Sequence, residues 1–153
     1  MLKPGTKAPA FTLDDAAGGK RSLGDILARG PALVALYKVS CPVCQLTFPF
    51  LDRISKGALQ VIGISQDDDR ATDKFRNSYA PDLPMLLDRD RQDYPASNAF
   101  GISHVPSLFL IEPDGTISMA WEGFVRTEME AVGERAGVAP FRPDERVPEW
   151  KAG

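Results

Sequence analysis

The sequence predicts an α/β fold: a mixed central sheet with helices on both faces and an N-terminal β-hairpin extension. Three observations predict it. Ala32–Tyr37 is an almost uninterrupted apolar run, and Leu59–Ser65 is a second apolar stretch, as strands covered on both faces require. Amphipathic segments at three- and four-residue spacing follow both runs. Glu112-Pro113-Asp114-Gly115 has the residues of a type I turn and joins two more extended runs ahead of a last helix. The order is then hairpin, β-α-β-α, β-β-α, which closes as a mixed sheet between two helical layers.

Each element has its own local signal. Residues 8–15 alternate weakly and run through Ala16-Ala17-Gly18-Gly19 into Lys20-Arg21-Ser22-Leu23, which reads as a short hairpin followed by a helical turn over 24–28. Gly30-Pro31 breaks the chain before the first apolar run. The helix after that run opens at Ser40-Cys41-Pro42-Val43-Cys44, with Val43, Leu46, Thr47, Phe50, Leu51 and Ile54 on one face. Pro49 removes the amide that would bond Gln45 and is expected to kink it. Asp67-Asp68-Asp69 starts a helix carrying Ala71, Phe75 and Tyr79, since acidic side chains favour that end. Met85–Leu87 is a short extended piece, and 93–100 is a short helix ending at Gly101. Val105–Ile111 is a strand with Pro106 near its start. Thr116–Trp121 is its antiparallel partner. Arg126–Ala136 is the closing helix, with Met129, Val132 and Ala136 aligned. Residues 139–153 read as a surface tail.

The 153 residues suit one domain spanning 1–153, and 43% hydrophobic with 25% charged residues can build a full core without a metal or disulfide. The net charge is −3 with scattered Lys and Arg, which argues against nucleic acid and anionic lipid as partners. No apolar run approaches the ~20 residues of a membrane helix. Met1–Lys7 has no apolar core of a secretory signal, so the expected location is cytoplasmic. A reducing compartment disfavours structural disulfides. The two cysteines, separated by two residues, therefore point to catalysis or metal binding.

A Cys-x-x-Cys at a helix start is a chemical arrangement. Unpaired amides and the helix dipole favour a thiolate at Cys41, and Cys44 in the first turn can close a small disulfide ring with it. Pro42 suits the first turn because it has no amide to leave unpaired. In the expected cycle Cys41 attacks a disulfide and Cys44 resolves the mixed disulfide. Two readings compete on residue grounds. One is half of a zinc site, for which His104 is the only other soft ligand. The other is a pair of inert core cysteines.

The chain resembles the thioredoxin superfamily, most closely its TlpA-like and peroxiredoxin-like (AhpC/TSA-type) branch, over residues 3–136. The resemblance is carried by Gly5-Thr6-Lys7-Ala8-Pro9-Ala10-Phe11-Thr12-Leu13, by Gly19–Leu23, by the strand before Cys41, and by Cys44-Gln45-Leu46-Thr47-Phe48-Pro49. It ends with Gly101–Ile117, which includes His104-Val105-Pro106-Ser107. It implies a thioredoxin-like fold and thiol–disulfide oxidoreductase activity with Cys41 and Cys44 as the redox pair. It also implies a cis Val105–Pro106 bond with Pro106 against the dithiol, and Pro42, Val43, Val105 and Pro106 as substrate-binding residues. The partners implied are a protein disulfide or dithiol and an electron donor such as a thioredoxin-type system. No cofactor or metal is implied, and the expected assembly is a monomer or weak dimer.

Some family features are missing. Ser40 stands where a Trp usually precedes the first cysteine. Ala35 and Thr47 stand where relatives carry a buried Asp or Glu, so Lys38 and His104 are the candidates for tuning the thiolate. Family dithiols span roughly −270 to −120 mV. A thiol peroxidase of the peroxiredoxin type is the alternative function, but its Pro-x-x-x-Thr/Ser-x-x-Cys loop fits neither frame. Counting back from Cys41 gives Lys38 and Val34, and from Cys44 gives Cys41 and Tyr37.

Overall fold

The alternation of side chains along β3, Ala32–Tyr37, organises the interior. All six of its residues are buried, and their side chains divide by parity between two cores. Leu33, Ala35 and Tyr37 join one apolar cluster; Ala32, Val34 and Leu36 join the other. The computed structural model describes residues 1–153.

The hairpin β1 (Thr12–Asp15) and β2 (Lys20–Ser22) leads into α1 (Leu23–Leu27), capped by the Ser22 hydroxyl. After β3 come α2 (Pro42–Ile54), β4 (Gln60–Ser65), α3 (Asp69–Tyr79) and β5 (Met85–Leu87). A short 3₁₀ turn and α4 (Pro95–Phe100) precede β6 (Ser107–Ile111) and β7 (Ile117–Glu122). β8 (Phe124–Val125), α5 (Arg126–Ala136) and β9 (Trp150–Lys151) complete the chain. Seven strands form one sheet in the order β2-β1-β5-β4-β3-β6-β7. β3, β4 and β5 run parallel, and β6, β7 and the hairpin pair antiparallel. The sheet is mixed, as the sequence predicts. Helices α2, α3 and α5 cover one face and α1 and α4 the other.

On the α2 side, Tyr37, Phe48 and Phe75 form an aromatic nest with ring centres 4.3 to 5.3 Å apart. The buried stripe of α2 is Cys44, Thr47, Phe48, Leu51 and Ile54. The expected face is therefore rotated: Phe48 is fully buried, whereas Val43, Leu46 and Phe50 are half-buried. The α2 helix runs through Pro49, which lies on its exposed side and does not end it. The helix expected from Asp93 begins only at Pro95. Asp93 and Tyr94 take left-handed backbone conformations, with φ of 58° and 47°, and the fixed φ of Pro95 then starts the turn. Gly101, at φ 67°, closes that helix in the conformation a glycine adopts without steric cost.

Residues 139–153 lie over the surface but are tied to it. The Phe141 ring packs edge-on against Phe50 at 4.9 Å and near Phe124 at 5.9 Å. Arg53 on α2 donates to the Pro140 carbonyl at 2.6 Å and forks onto Glu145 at 2.7 and 3.1 Å. The Arg126 amide donates to the Glu149 carbonyl at 3.0 Å, after which β9 pairs with β8. The period of the last helix ends at Ala136, so single aromatic and charged anchors, not periodicity, hold the segment beyond it.

The Arg53 guanidinium and the Arg142 amide hold the Glu145 carboxyl down from its ordinary 4.5 to about 2. A carboxylate lowered on folding stabilises the folded chain at pH above the unfolded value, and loses that effect as pH falls through the folded one. The fastening of 140–149 is therefore expected to be intact above pH 4.5 and to be lost as pH falls toward about 2. Amide hydrogen exchange across 140–149, followed against pH, checks this; Glu145→Gln should show raised exchange already at neutral pH and little further change on acidification.

Candidate active site

The end of β3, an interior strand, and the start of α2 bring the two cysteines together beyond the strand ends on one side of the sheet. Cys41 is the cap of α2, with an extended backbone at φ −82° and ψ 116°. Its Sγ accepts the Cys44 amide at 3.1 Å, as a Ser or Asp oxygen does at an ordinary helix cap. Pro42 at the first helical position brings no amide, so one orphan donor of the helix start is absent by composition. The Cys41 carbonyl accepts the Gln45 amide at 3.1 Å, and the helix is under way.

The two thiols sit in different surroundings. Cys41 is half-buried; Cys44 is fully buried. Burial pushes the Cys44 thiol well above the ordinary range, and its hydrogen bond with Cys41 pushes the same way. Cys44 thus holds its proton while Cys41 faces outward.

Val105 and Pro106 lie opposite Cys41. The Val105–Pro106 peptide bond is cis, as the resemblance implies. The Cys41 thiol reaches the Val105 carbonyl at 3.5 Å. Pro106 is buried, and its carbonyl accepts the Gly123 amide at 2.8 Å. The Ser107 hydroxyl donates to the His104 carbonyl at 2.6 Å and closes the loop from the other side. Pro42 is exposed and Val43 half-buried beside the dithiol.

Lys38 follows β3 and His104 precedes β6, close in sequence to the site residues, but neither side chain hydrogen-bonds a cysteine. The His104 Nδ1 faces the Ser103 hydroxyl at 2.9 Å and the Glu122 carboxylate at 3.5 Å. Lys38 is exposed, and it is its backbone carbonyl that accepts the Cys41 amide, at 3.3 Å. Beneath the dithiol the two positions that lack a carboxylate are neutral. Ala35 packs in the core, and the Thr47 hydroxyl donates to the Val43 carbonyl at 2.7 Å. The Tyr37 hydroxyl, in the same core, donates to Met85 Sδ at 3.2 Å, and burial pushes its titration above the ordinary tyrosine range. No group of three or more His, Cys, Asp or Glu side chains gathers closely enough to hold a metal ion. His104, the soft ligand that a zinc site here would draw on, faces Ser103 and Glu122.

Two positioning residues carry no signal in the sequence. Asp67 accepts the Val39 amide at 2.9 Å, and the Gln45 side chain donates to the Val39 carbonyl at 3.0 Å. Both backbone groups of a residue two before Cys41 are thereby clamped. The Asp67-Asp68-Asp69 run divides three ways: Asp67 holds that loop, Asp68 caps α3, and Asp69 pairs with Arg89 at 2.8 Å. Nothing in a run of three acids marks which one turns inward. No helix of the chain is long and apolar enough to cross a membrane.

Comparison with known proteins agrees with this architecture. ResA, a thiol-disulfide oxidoreductase of Bacillus subtilis (strain 168), is 26% identical over 133 residues, covering 84% of this chain and 72% of its own. The solved structure of a Chlorobium tepidum protein that carries a thiol:disulfide interchange (DsbE) name superposes with a TM-score of 0.75 at 22% identity, over 92% of this chain and 100% of that one. This likeness fixes the fold as thioredoxin-like. A relative from Mycobacterium tuberculosis (strain H37Rv) that carries a peroxiredoxin name is 33% identical over 132 residues, covering 78% of this chain and 84% of its own. The sequence pattern of the AhpC/TSA family matches residues 4–120, which include β1 to β6, both cysteines and the cis proline. On that match and the 33% identity, the chain belongs to the AhpC/TSA family.

Proposed function

We propose that the protein is a thiol–disulfide oxidoreductase that exchanges its Cys41–Cys44 dithiol with a protein disulfide. The observation that carries this is the helix cap: a half-buried sulfur that accepts the Cys44 amide, 3.5 Å from the Val105 carbonyl, with a buried, protonated thiol one turn behind it. The relatedness to a thiol-disulfide oxidoreductase supports the same reading.

The steps balance without a cofactor. The Cys41 thiolate attacks one sulfur of the substrate disulfide; a Cys41–substrate S–S bond forms and the other substrate sulfur leaves as a thiolate. Cys44 then gives up its proton and attacks Cys41 Sγ. The Cys41–Cys44 bond forms, and the second substrate sulfur leaves. Two electrons have passed to the substrate, and a dithiol donor of thioredoxin type restores the pair. Burial of Cys44 sets the order, because the buried thiol is neutral and shielded until Cys41 carries a substrate. In this scheme Val105 and Pro106 present the substrate-facing backbone, and Pro42 and Val43 the adjoining helix surface. Asp67 and Gln45 act at one remove, by positioning the loop that delivers Cys41.

A second reading is favoured by the peroxiredoxin name of the 33% identical relative. In it Cys41 attacks a hydroperoxide, becomes a sulfenic acid and releases an alcohol or water; Cys44 condenses with it and a further water leaves. Against it, the loop positions that supply a Pro and a hydroxyl in peroxidases are Val34 and Lys38 here. Initial rates of hydrogen peroxide consumption and of protein disulfide reduction, with one donor, separate the two. Faster disulfide turnover is expected, and rapid peroxide turnover without disulfide exchange would reverse the assignment.

Cys41→Ser is expected to abolish exchange. Cys44→Ser should accumulate a mixed disulfide with substrate, visible by mass spectrometry of the intact protein. Retention of exchange by Cys41→Ser would refute the roles. Asp67→Ala frees the Val39 amide; loss of a charge-assisted hydrogen bond costs about 1.5–3 kcal/mol. The expected result is a lower melting temperature with a several-fold slower single-turnover oxidation, Asp67→Asn recovering part of both.

A further inference from the structure

The C-terminal segment ends against the backbone that faces Cys41. A Cβ built on Gly153 would lie 2.9 Å from the Val105 carbonyl carbon and overlap its oxygen, so the main chain at 153 lies directly on the Val105 carbonyl. The path to that point is equally tight. β9 passes so close over Gly123 that a Cβ there would overlap the Lys151 carbonyl oxygen, and Gly123 stands at φ 77°. The amide of Val105 has no hydrogen-bond partner within the chain. Its backbone therefore offers an unpaired donor and a carbonyl, and a stretch of the protein's own main chain lies over the carbonyl.

We propose, on the thiol-exchange reading above, that Trp150–Gly153 occupies the edge on which an extended protein substrate would pair. With the segment in place the site serves small disulfides, and extended protein disulfides engage Val105 only when the segment lifts. Two features suit it to lifting. Its fastening thins beyond 149: Phe141, the Arg53–Glu145 fork and the Glu149 carbonyl hold 140–149, whereas residues 150–153 are exposed and Trp150 and Lys151 are held by a two-residue pairing of β9 with β8. Cys41 keeps partial exposure with the segment in place, so a small reactant still meets its sulfur. Gly153 also forms one wall of a cleft of about 310 Å³ between the Lys38 and Ser103–Val105 loops, space that an extended chain would need to enter.

The test compares the full 153-residue chain with a form ending at Glu149 and with Gly153→Val, whose side chain has no room beside Val105. Each protein, fully reduced, is mixed in single turnover with insulin as the protein disulfide and with dithiobis(nitrobenzoate) as the small one. An edge blocked most of the time lowers the apparent affinity in proportion, so both variants should oxidise faster with insulin, by about tenfold at subsaturating concentration, and within about twofold of the full chain with the small disulfide. Thermal melting of each variant should stay close to that of the full chain. An unchanged insulin rate in the shortened form overturns the proposal. So does an equal gain with both disulfides, which would mean simple uncovering of Cys41. Failure of every form, the full chain included, to react with either disulfide would instead remove the thiol-exchange assignment on which the proposal rests.

Discussion

A sulfur stands where a helix needs an acceptor, and the geometry of the site derives from that requirement. The first turn of α2 presents amides with no partner in the helix, and the Cys44 amide turns to Cys41 Sγ. For Cys41 to be that cap, the chain must leave the sheet at Tyr37, turn within a few residues and enter the helix with an extended backbone. The completely buried β3 sets the point of departure, and the Val39 clamp sets the turn. The cis Val105–Pro106 segment then faces the sulfur from the loop that leads into the neighbouring strand β6, which pairs with β3.

The asymmetry between the two thiols comes from the same placement. A cap residue lies at the helix mouth, while a residue three positions on turns toward the core. Cys44 accordingly shares its stripe with Thr47, Phe48 and Leu51. At positions 35 and 47, where the resemblance leads one to expect a carboxylate, this chain has Ala35 and Thr47, and the Thr47 hydroxyl is committed to the Val43 carbonyl. The proton that Cys44 releases has no buried carboxylate at these positions to receive it, so the leaving substrate thiolate is the natural acceptor in the proposed cycle.

Much of this architecture is legible from residue order, and the exceptions have physical reasons. β3 and β5 are legible to the residue because unbroken apolar runs between breakers leave little choice of boundary. The cysteine motif is legible because cap, proline and spacing all agree at one point. The α2 face reads about one residue out of register: Phe50 looks like core, but its ring turns toward Phe124 and Phe141, and Phe141 lies in a segment with no periodic signal. The start of α4 is hidden because nothing in Asp93-Tyr94 announces two successive left-handed residues. Asp67 and Gln45 escape notice since their partners are backbone groups of Val39, and backbone contacts across 28 and 6 residues leave no pattern of side-chain types.

The chain contains two tryptophans in opposite surroundings. Trp121 lies 6% exposed within the larger core cluster, and Trp150 is 62% exposed on β9. The molecule therefore has two intrinsic fluorophores reporting on separate regions. Blue-shifted emission from Trp121 tracks the integrity of the interior, and water-quenchable emission from Trp150 tracks the last strand, so each can be watched by its colour without attaching a dye.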